Sequence, residues 1–260
     1  MKVLFTGATG QLGHYLAEQG SELFPETELI GMSRAELDLG DDESIRNAIS
    51  QHRPDVVINA AGYTNVDGAE DEAEKSMRLN GAAVGVLAKS CEGVDARLIQ
   101  ISTDYVFDGE ATEPYQPDAP TNPLGVYGRT KLEGERQALD HSEHSLVLRT
   151  SWVYSEVGTN FANTMRRLFR ERDEISVVED QIGCPTHARD LAAHGLELAH
   201  ASDWKERMFH FRGPDVMSWY DLACRLLRES PELSCQIHPI PTSAYPTKAK
   251  RPLYSVLACS

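Results

Sequence analysis

Hydrophobic residues along the first part of the chain fall into short apolar runs of strand length, separated by amphipathic stretches of helix length. Strands joined by helices of this length require parallel crossovers, and almost continuously apolar strands suit a sheet that is covered on both faces. The pattern therefore predicts an α/β fold with a doubly wound, Rossmann-like parallel sheet. The predicted strands are KVLFTG, ELIGMS, DVVINAAG, RLIQISTDYVF and SLVLRTSWVY, and the predicted helices include LAEQGSELF, DDESIRNAISQ and AEKSMRLNGAAVGVLAKSC.

The pattern changes in the second part of the chain, where helices dominate. Ser218 is placed to cap the helix SWYDLACRLLRES. The proline-rich end, IHPIPTSAYPTKAKRP, cannot continue a regular helix, and we expect it to form a loop packed over a cleft. We predict a dinucleotide-binding domain at residues 1–150 and, mainly within residues 151–260, a smaller substrate-binding lobe interleaved with it. Two more helices and a short strand are predicted at NFANTMRRLFRERDE, THARDLAAHGLELAHA and FHFRG.

The charge of the chain disfavours one class of partner. There are 40 acidic and 25 basic side chains, which gives a formal net charge of -15, and the basic residues form no block. Such a surface repels nucleic acids. No apolar run is long enough to span a membrane, and the chain opens directly on a strand-like run without the features of a cleavable leader. We therefore expect a cytoplasmic protein that binds a small molecule and has no nucleic-acid or membrane partner.

Cysteine and histidine spacing does not indicate a metal site. The cysteines form no CxxC pair, and the histidines form no close cluster. Without such spacing, neither a zinc site nor a disulfide framework is predicted. The cysteines are Cys91, Cys184, Cys224, Cys235 and Cys259.

A glycine-rich turn, GATGQLG, follows the first strand directly and precedes a helix. Glycine allows a tight turn and close approach of the backbone to a pyrophosphate, and the N-terminus of the next helix directs N–H groups at the anion. This strand–turn–helix context favours a dinucleotide site over a purely structural turn. The predicted cofactor contacts in the turn are Gly7, Gly10, Gln11, Leu12 and Gly13.

The second predicted strand ends in GMSRAE and lacks the acidic residue that would accept hydrogen bonds from a free ribose 2′-hydroxyl. Arg34 would suit a 2′-phosphate instead, so we favour NADPH over NADH. A merely solvated Arg34 would look the same in the sequence. The other predicted dinucleotide contacts are Ser33, Asp38, Leu39, Ala60, Ala61, Gly62 and Thr64.

The motif YGRTK places Tyr127 and Lys131 one turn apart on a single helix face. The positive charge of the lysine is expected to lower the pKa of the phenol from its usual value of about 10 by favouring phenolate. QISTDYVFDG brings the hydroxyls of Ser102 and Thr103 to the carboxyl edge of the same sheet, where doubly wound folds bind ligands. The sequence therefore predicts that a hydroxyl, a phenol and an ammonium meet beside the dinucleotide.

Several further motifs accompany these residues along nearly the whole chain. They are PDVVINAAGYTNVDGAE, STDYVFDG, NPLGVYGRTKLEGE, LRTSWVY, GTNFANTM, DQIGCPT and AYPTKAKRPLYS. Together with GATGQLG, NAAG, Asn80 and YGRTK, these motifs resemble the extended short-chain dehydrogenase/reductases, and within them the dTDP-4-dehydrorhamnose reductase family.

The resemblance implies reduction of the 4-keto group of dTDP-4-dehydro-6-deoxy-L-mannose to dTDP-L-rhamnose, with NADPH as the cofactor and NADH as the alternative. It implies that Tyr127 gives a proton to the developing alkoxide and that Lys131 also contacts the nicotinamide ribose. Thr103 would orient the carbonyl oxygen, with Ser102 the weaker candidate. Asn80 would either support Lys131 or only kink its helix.

For the substrate, the resemblance implies a wider set of contacts. Aromatic faces could stack on the sugar or thymine, and a guanidinium suits diphosphate oxygens, although any one aromatic can equally belong to the core. Val66 and Asp67 are expected beside Thr64 on the opposite wall, with Asp67 alternatively a helix cap. The implied substrate contacts are Thr103, Val106, Trp152, Asn160, Phe161, Gln181, Pro185 and Arg251.

The chain departs from the family after its RPxxS element, because it ends at Ser260 where family members continue with another helix. The metal-bridged dimer of some members is therefore not carried over, so no metal is predicted and a homodimer stays open. One alternative function is another nucleotide-sugar reductase or epimerase on this fold. The other is a non-catalytic regulatory subunit that binds NADP, which the presence of STD, YxxxK and TSW together disfavours.

Overall fold

The structure is a computed structural model that describes residues 1–259. A π-helical turn lies at Arg78–Ala82, and 3-10 turns lie at Asp104–Val106 and Thr242–Ala244. The strands in that range are β1 (Lys2–Thr6), β2 (Glu28–Met32), β3 (Val56–Asn59), β4 (Arg97–Thr103), β5 (Ser145–Thr150), β6 (Val153–Tyr154), β7 (Glu174–Val178), β8 (Ile182–Gly183), β9 (Thr186–His187), β10 (Met208–His210), β11 (Met217–Ser218) and β12 (Gln236–Ile240). The α-helices are α1 (Gln11–Leu23), α2 (Asp42–His52), α3 (Val66–Asp71), α4 (Ala73–Met77), α5 (Ala83–Glu92), α6 (Val126–His141), α7 (Phe161–Glu171), α8 (Ala188–His200) and α9 (Trp219–Arg228).

The largest sheet has six strands in the order β2-β1-β3-β4-β5-β10, and every pair in it is parallel. The chain leaves β1 toward β2 on one side and then continues with β3 on the other side. Such a switch point opens a crevice at the carboxyl ends of the strands, where ligands bind in open α/β sheets. The predicted doubly wound parallel sheet is confirmed.

The strands alternate their side chains between two apolar clusters, one on each face of the sheet. Leu4, Val57 and Leu98 pack with α2 and α5. Val3 and Ile58 pack on the opposite face with α1 and α8. Because both faces are covered, the strands carry apolar residues at consecutive positions, which is why they were recognisable as buried strands in the sequence.

The second part of the chain forms a smaller core of its own. Met165 and Phe169 of α7 pack there with Leu222 and Leu226 of α9 and with Val177 of β7. The same part of the chain also supplies β10 to the large sheet and α8 to its face. The structure thus interleaves the two parts, while the domain boundary at residue 150 stays a prediction.

Two expectations about local structure were wrong. The proline-rich end begins with strand β12, which pairs in parallel with β7, and Pro239 lies opposite Val177 in that ladder. A two-stranded sheet consists of edge strands, which tolerate a proline. The long helix predicted around Asn80 is interrupted by the π-helical turn, a local widening that often occurs at functional sites.

Within residues 1–259, no helix combines the length and the apolar character that a membrane span needs.

Two glycines allow α6 to approach its neighbours closely. A Cβ atom added at Gly128 would lie 2.1 Å from the carbonyl oxygen of Tyr105. One added at Gly134 would lie 2.1 Å from the carbonyl oxygen of Asn80. Because both contacts are with backbone, a side chain at either position would push the helix outward. The close packing of α6 therefore fixes how far Tyr127 and Lys131 lie from the neighbouring backbone.

We therefore expect Gly134→Ala to lower the free energy of unfolding by about 1–3 kcal/mol, the usual cost of overpacking. Gly195→Ala in α8 is the matched control, because no atom beyond its chain neighbours and the backbone of its own helix lies within 4 Å of the added Cβ. That variant should be neutral or more stable by up to about 1 kcal/mol, since alanine favours a helix. Urea unfolding of both variants measures the difference, and equal losses would contradict the packing argument.

Candidate active site

The glycine turn between β1 and α1 presents unused backbone donors at the sheet edge. Gly7 has φ of 71°, a left-handed conformation that glycine adopts easily, and the Gly10 amide donates to the Gly7 carbonyl at 2.9 Å. Gly10 is the N-cap of α1, and neither a side-chain cap nor an acidic residue in the first turn occupies the helix N-terminus. These donors, together with the helix dipole, fit an anionic group such as a pyrophosphate.

Small residues after β3 form the opposite side of this turn. A Cβ added at Gly7 would lie 3.2 Å from the Ala60 carbonyl oxygen and 3.2 Å from the Ala61 amide nitrogen. The turn and the end of β3 therefore pack backbone to backbone, and the small side chains leave the cleft above them open.

A line of buried hydrogen bonds runs across the carboxyl ends of the strands. The Thr6 hydroxyl donates to Asn59 Oδ1 at 2.6 Å, and Asn59 Nδ2 donates to Gln100 Oε1 at 2.7 Å. Gln100 Nε2 donates to the Ile101 carbonyl at 2.8 Å. The same carbonyl accepts from Lys131 Nζ at 2.6 Å. The line therefore extends from β1 to the middle of α6.

Thr103, Tyr127 and Lys131 line one cleft, as the sequence predicted. Thr103 ends β4, and its hydroxyl donates to Asp104 Oδ1 at 3.0 Å. Tyr127 lies in the first turn of α6, and Lys131 is buried one turn later. The ring of Tyr105 meets the ring of Tyr127 edge to face, with centroids 5.7 Å apart. The arrangement joins a hydroxyl, a phenol and an ammonium in one place, although their chemical roles stay predictions.

The protonation of the two groups on α6 differs from the sequence-based expectation. Burial raises the pKa of Tyr127 to about 12, and hydrogen bonding to Thr103 offsets only part of that rise. Burial also lowers the pKa of Lys131 to about 8, against the attraction of Glu135. The expected lowering of the Tyr127 pKa by Lys131 was therefore wrong, because loss of hydration dominates both groups. Tyr127 consequently carries its proton at neutral pH.

Two cleft residues next to Thr103 were not recognised as site residues in the sequence. Asp104 is buried, and burial raises the pKa of its carboxyl group to about 6, although hydrogen bonds from Ser255 and Thr103 act in the opposite direction. Tyr105 also lines the cleft, and its ring contacts that of Tyr127. The motif STDY contains both residues, but the sequence-based prediction assigned roles only to the hydroxyls of Ser102 and Thr103.

The hydrogen bonds of Asn80 hold the loop after β3, and none of them goes to Lys131. Its Oδ1 accepts from the Tyr63 amide at 2.8 Å, and its Nδ2 donates to the Tyr63 carbonyl at 3.0 Å. The same Nδ2 lies 3.2 Å from the Thr130 hydroxyl of α6. The residue lies in the π-helical turn, which agrees with the alternative of a kinked helix, while its support of Lys131 stays a prediction.

Three aromatic rings form the wall at the far end of the cleft. Trp152 stacks on Trp219 with centroids 3.4 Å apart and an interplanar angle of 6°, and Phe161 tilts against Trp219 at 4.5 Å. Trp219 Nε1 donates to Gln181 Oε1 at 3.2 Å. One indole face of Trp152 is therefore covered by protein, which limits the ligand stacking expected of it. Trp219 was not recognised in the sequence, where it is only the first residue of a capped helix.

The cleft has a volume of about 720 Å³. It brings together most of the predicted site residues from both parts of the chain. Those that line it are Gly7, Gly10, Gln11, Leu12, Arg34, Asp38, Leu39, Ala60, Ala61, Gly62, Thr64, Val66, Asn80, Ser102, Thr103, Tyr127, Lys131, Trp152, Asn160 and Phe161.

Two of the predicted cofactor residues do not line the cleft. Gly13 packs α1 onto the turn, because a Cβ there would lie 2.2 Å from the Gly7 carbonyl oxygen. Ser33 is bound to Glu36, whose Oε2 accepts from the Ser33 hydroxyl at 2.7 Å and from its amide at 2.8 Å. Arg34 does reach the cleft and forms an exposed ion pair with Asp38 at 3.6 Å.

Four of the implied substrate residues also lie outside the cleft wall, for identifiable reasons. Val106 is fully buried in a core cluster. The amide group of Gln181 is used by Trp219 and by Thr242. Pro185 lines a separate surface groove.

Arg251 is the fourth, and it is engaged by a carboxylate of α3. It binds both oxygens of Asp67, at 3.1 Å and 2.7 Å. This bidentate pair holds the proline-rich end against α3, which corrects the expectation of a loop packed over the cleft. Asp67 is not the helix cap, because Asn65 accepts the capping hydrogen bond from Gly68.

No metal site accompanies this cleft in the described part of the chain, where no group of three histidine, cysteine, aspartate or glutamate residues is arranged to hold an ion. The five cysteines named above are free.

One side chain links the glycine turn to the second part of the chain. Gln11 Oε1 accepts from Asn160 Nδ2 at 2.8 Å and from the Ser155 hydroxyl at 3.0 Å. Asn160 is also the N-cap of α7, where it accepts from the Asn163 amide at 2.9 Å. The position of α7 therefore depends on the turn that presents the backbone donors.

Comparison with known proteins gives the same picture over the whole chain. The family described as RmlD substrate binding domain matches residues 1–260. A dTDP-4-dehydrorhamnose reductase of Burkholderia thailandensis is 40% identical over 272 residues, which cover 99% of this chain and 90% of that protein. The spore coat polysaccharide biosynthesis protein SpsK of Bacillus subtilis is 37% identical over 258 residues, covering 99% of this chain and 89% of that protein.

Solved structures agree with the sequence relatives. A dTDP-4-dehydrorhamnose reductase of Clostridium acetobutylicum superimposes with a TM-score of 0.94 and 37% identity, covering 100% of this chain and 90% of that one. One from Bacillus anthracis, solved in complex with NADP, has a TM-score of 0.94 and 34% identity with the same coverage. A UDP-glucose 4-epimerase of Thermus thermophilus is 18% identical, which shows the shared fold alone.

The Gln11 link makes a prediction about coupling. In a double-mutant cycle with Gln11→Ala and Asn160→Ala, we expect a coupling energy of about 0.5–1.5 kcal/mol in the free energy of unfolding, the usual net value of a hydrogen bond. Asn122→Ala replaces Asn160→Ala in the control cycle, because Asn122 contacts Asp108 far from the turn. A coupling as small as that of the control would show that the link does not hold the two parts together.

Proposed function

This chain belongs to the RmlD substrate binding domain family, and we propose on that premise that it reduces the 4-keto group of dTDP-4-dehydro-6-deoxy-L-mannose to give dTDP-L-rhamnose, using NADPH. The resemblance inferred from the sequence motifs is thereby confirmed. The observation that carries the proposal is the meeting of Thr103, Tyr127 and Lys131 in the cleft that the glycine turn opens.

The cofactor side of the cleft supports a dinucleotide with a 2′-phosphate. When bound, NADPH supplies a hydride from C4 of its nicotinamide. The uncapped N-terminus of α1 would hold the pyrophosphate, and Arg34 is exposed at the cleft rim where a 2′-phosphate can reach it. The NADP complex of the Bacillus anthracis relative supports this choice.

Tyr127 has the protonation state that the reductive direction requires. Burial raises its pKa to about 12, so the phenol keeps its proton at neutral pH until a stronger base, the alkoxide that forms at the sugar, accepts it. A lysine ammonium nearby stabilises the phenolate that remains after the transfer. Lys131 is held for this purpose by the Ile101 carbonyl at 2.6 Å.

Thr103 is placed to fix the orientation of the reacting carbonyl. Its hydroxyl donates to Asp104 and its oxygen accepts from the Tyr105 amide at 3.2 Å, so its rotation is restricted. We assign Thr103 the role of holding the keto oxygen near the Tyr127 phenol, for which its hydroxyl would turn its proton from Asp104 to the substrate. Ser102 is the weaker candidate, because its hydroxyl donates at 2.5 Å to Glu135, whose carboxylate is also bound by Arg149.

The sugar would lie between this group and the aromatic wall of Trp152, Phe161 and Trp219. The precise nucleotide sugar, including its base, is part of the proposal and is decided by assay. Turnover of other 4-keto nucleotide sugars in preference would favour the alternative of another reductase or epimerase. Binding of NADPH without turnover would favour a regulatory subunit. A homodimer stays a prediction.

Mixing the protein with NADPH and dTDP-4-dehydro-6-deoxy-L-mannose should cause a loss of the NADPH absorbance. Tyr127→Phe should retain NADPH binding and lower kcat by about 10²–10⁴-fold, because only the proton donor is removed. Tyr245→Phe is the matched control, since Tyr245 is 57% exposed and lies outside the cleft. An unchanged kcat in Tyr127→Phe would remove this residue from the mechanism.

Cofactor preference can be tested with Arg34→Gln. We expect KM for NADPH to rise about tenfold, equivalent to about 1.4 kcal/mol for a lost phosphate contact, while KM for NADH stays nearly constant. Arg46→Gln on α2 removes another exposed arginine that pairs with Asp42 and serves as the control. A parallel change for both cofactors would assign Arg34 a role other than recognition of the 2′-phosphate.

A further inference from the structure

An ion pair lies buried directly behind the catalytic group. Arg149 of β5 donates to both carboxylate oxygens of Glu135 on α6, at 2.8 Å from Nε and at 2.6 Å from Nη2. The two side chains expose 4% and 2% of their surface, respectively. Removing two charges from water costs free energy. A hydrophobic pair of similar volume at such a position often stabilises a fold as much as the ion pair does, or more. Stability alone therefore explains the pair poorly.

The location of the carboxylate connects it to the reacting groups. Tyr127, Lys131 and Glu135 are spaced i, i+4 and i+8 on α6, so they share one face of the helix. Glu135 Oε1 also accepts from the hydroxyl of Ser102 at 2.5 Å. Ser102 directly precedes Thr103 at the end of β4. One carboxylate thus contacts both elements that carry the catalytic group.

The carboxylate also opposes the effect of burial on Lys131. Burial lowers the pKa of Lys131 to about 8, and the negative charge of Glu135 acts in the opposite direction. Arg149 cannot replace this effect, because its charge has the same sign as that of Lys131. The electrostatic support for the ammonium comes from the same helix face, one turn away.

We propose that Glu135 is a positioning residue for the reduction, whose carboxylate keeps the ammonium of Lys131 charged and fixes the end of β4 through Ser102. Arg149 orients that carboxylate from β5. The inference rests on the proposed function for its catalytic consequence, whereas its electrostatic part concerns this chain alone.

Apart from Lys131, the ionisable groups near the pair have pKa values outside the range from about pH 7 to about pH 10. On α6 there is Tyr127, after β4 there is Asp104, and on β10 there is His210, whose Nε2 lies 3.4 Å from Arg149 Nη1. Burial first and Arg149 second lower the pKa of His210 to about 4. The pKa of Asp104 is about 6 and that of Tyr127 about 12. Between about pH 7 and about pH 10, Lys131 is therefore the group expected to change its charge.

The direct test measures the ionisation of Lys131 without any substrate. The chain has seven lysines, so ¹³C labelling at lysine Cε gives few NMR signals, and Lys131→Arg assigns the one of interest. In Glu135→Gln we expect the titration midpoint of Lys131 to fall by about one pH unit or more, because the neutral amide cannot stabilise the ammonium. In Glu135→Asp, which keeps the charge, the midpoint should stay close to that of the unchanged protein.

Two further variants separate the electrostatic role from a structural one. Glu135→Gln leaves Arg149 buried without its partner, so it is also made together with Arg149→Met, which removes both charges and should restore the fold. We expect the lowered midpoint in the double variant as well. Glu133→Gln is the control, because it removes one negative charge from the same helix at a residue that binds Gln137. It should leave the titration midpoint of Lys131 unchanged.

The kinetic readout is the pH profile of kcat for NADPH oxidation with the keto sugar. Its alkaline limb should move to lower pH in Glu135→Gln and in the double variant, and Glu135→Asp should retain the limb of the unchanged protein. A Lys131 midpoint that is unaffected in Glu135→Gln and in the folded double variant would overturn the inference. Absence of NADPH oxidation by the unchanged protein would instead overturn the proposed function, and the NMR titration would still decide the link between Glu135 and Lys131.

Discussion

The hydrogen bond between Lys131 Nζ and the Ile101 carbonyl, 2.6 Å long, joins α6 to the centre of the sheet. It ends the buried line that begins at Thr6 and passes through Asn59 and Gln100. The side chains that donate in that line are buried, so releasing one of them would leave a buried polar group unpaired. The glycine turn, the end of β3 and α6 are consequently held in one arrangement, and the cleft is the space that this arrangement leaves.

Local features of this cleft could be predicted from the sequence because they depend on neighbouring residues. The glycine turn needs only a strand before it and a helix after it, and Tyr127 and Lys131 share a face through the helix period alone. The apolar strands were recognisable because helices cover both faces of the sheet. In a parallel sheet the strands end at the same edge, so the position of Thr103 at the end of β4 could be predicted without knowledge of its contacts.

Features that depend on distant packing could not be predicted in the same way. Val106 follows directly after the STDY motif, yet its side chain joins the core cluster of Phe107 and Leu257. Trp219 reaches the cleft only because α9 packs against α7, and nothing in its local sequence indicates a ligand. Arg251 pairs with Asp67 across 184 positions of the chain. A residue list based on motifs therefore names the correct segments more reliably than the side chains that face the ligand.

The pKa values show why motif and environment must be considered together. The spacing of Tyr127 and Lys131 suggests an acid activated by a cation, but burial opposes ionisation of both groups and acts in opposite directions on their pKa values. For the proposed reduction this combination is favourable, because the phenol starts with its proton and a charged lysine would stabilise the phenolate that follows. Burial thus keeps the proton on Tyr127 and disfavours the charge on Lys131, and the negative charge of Glu135 acts against the second effect.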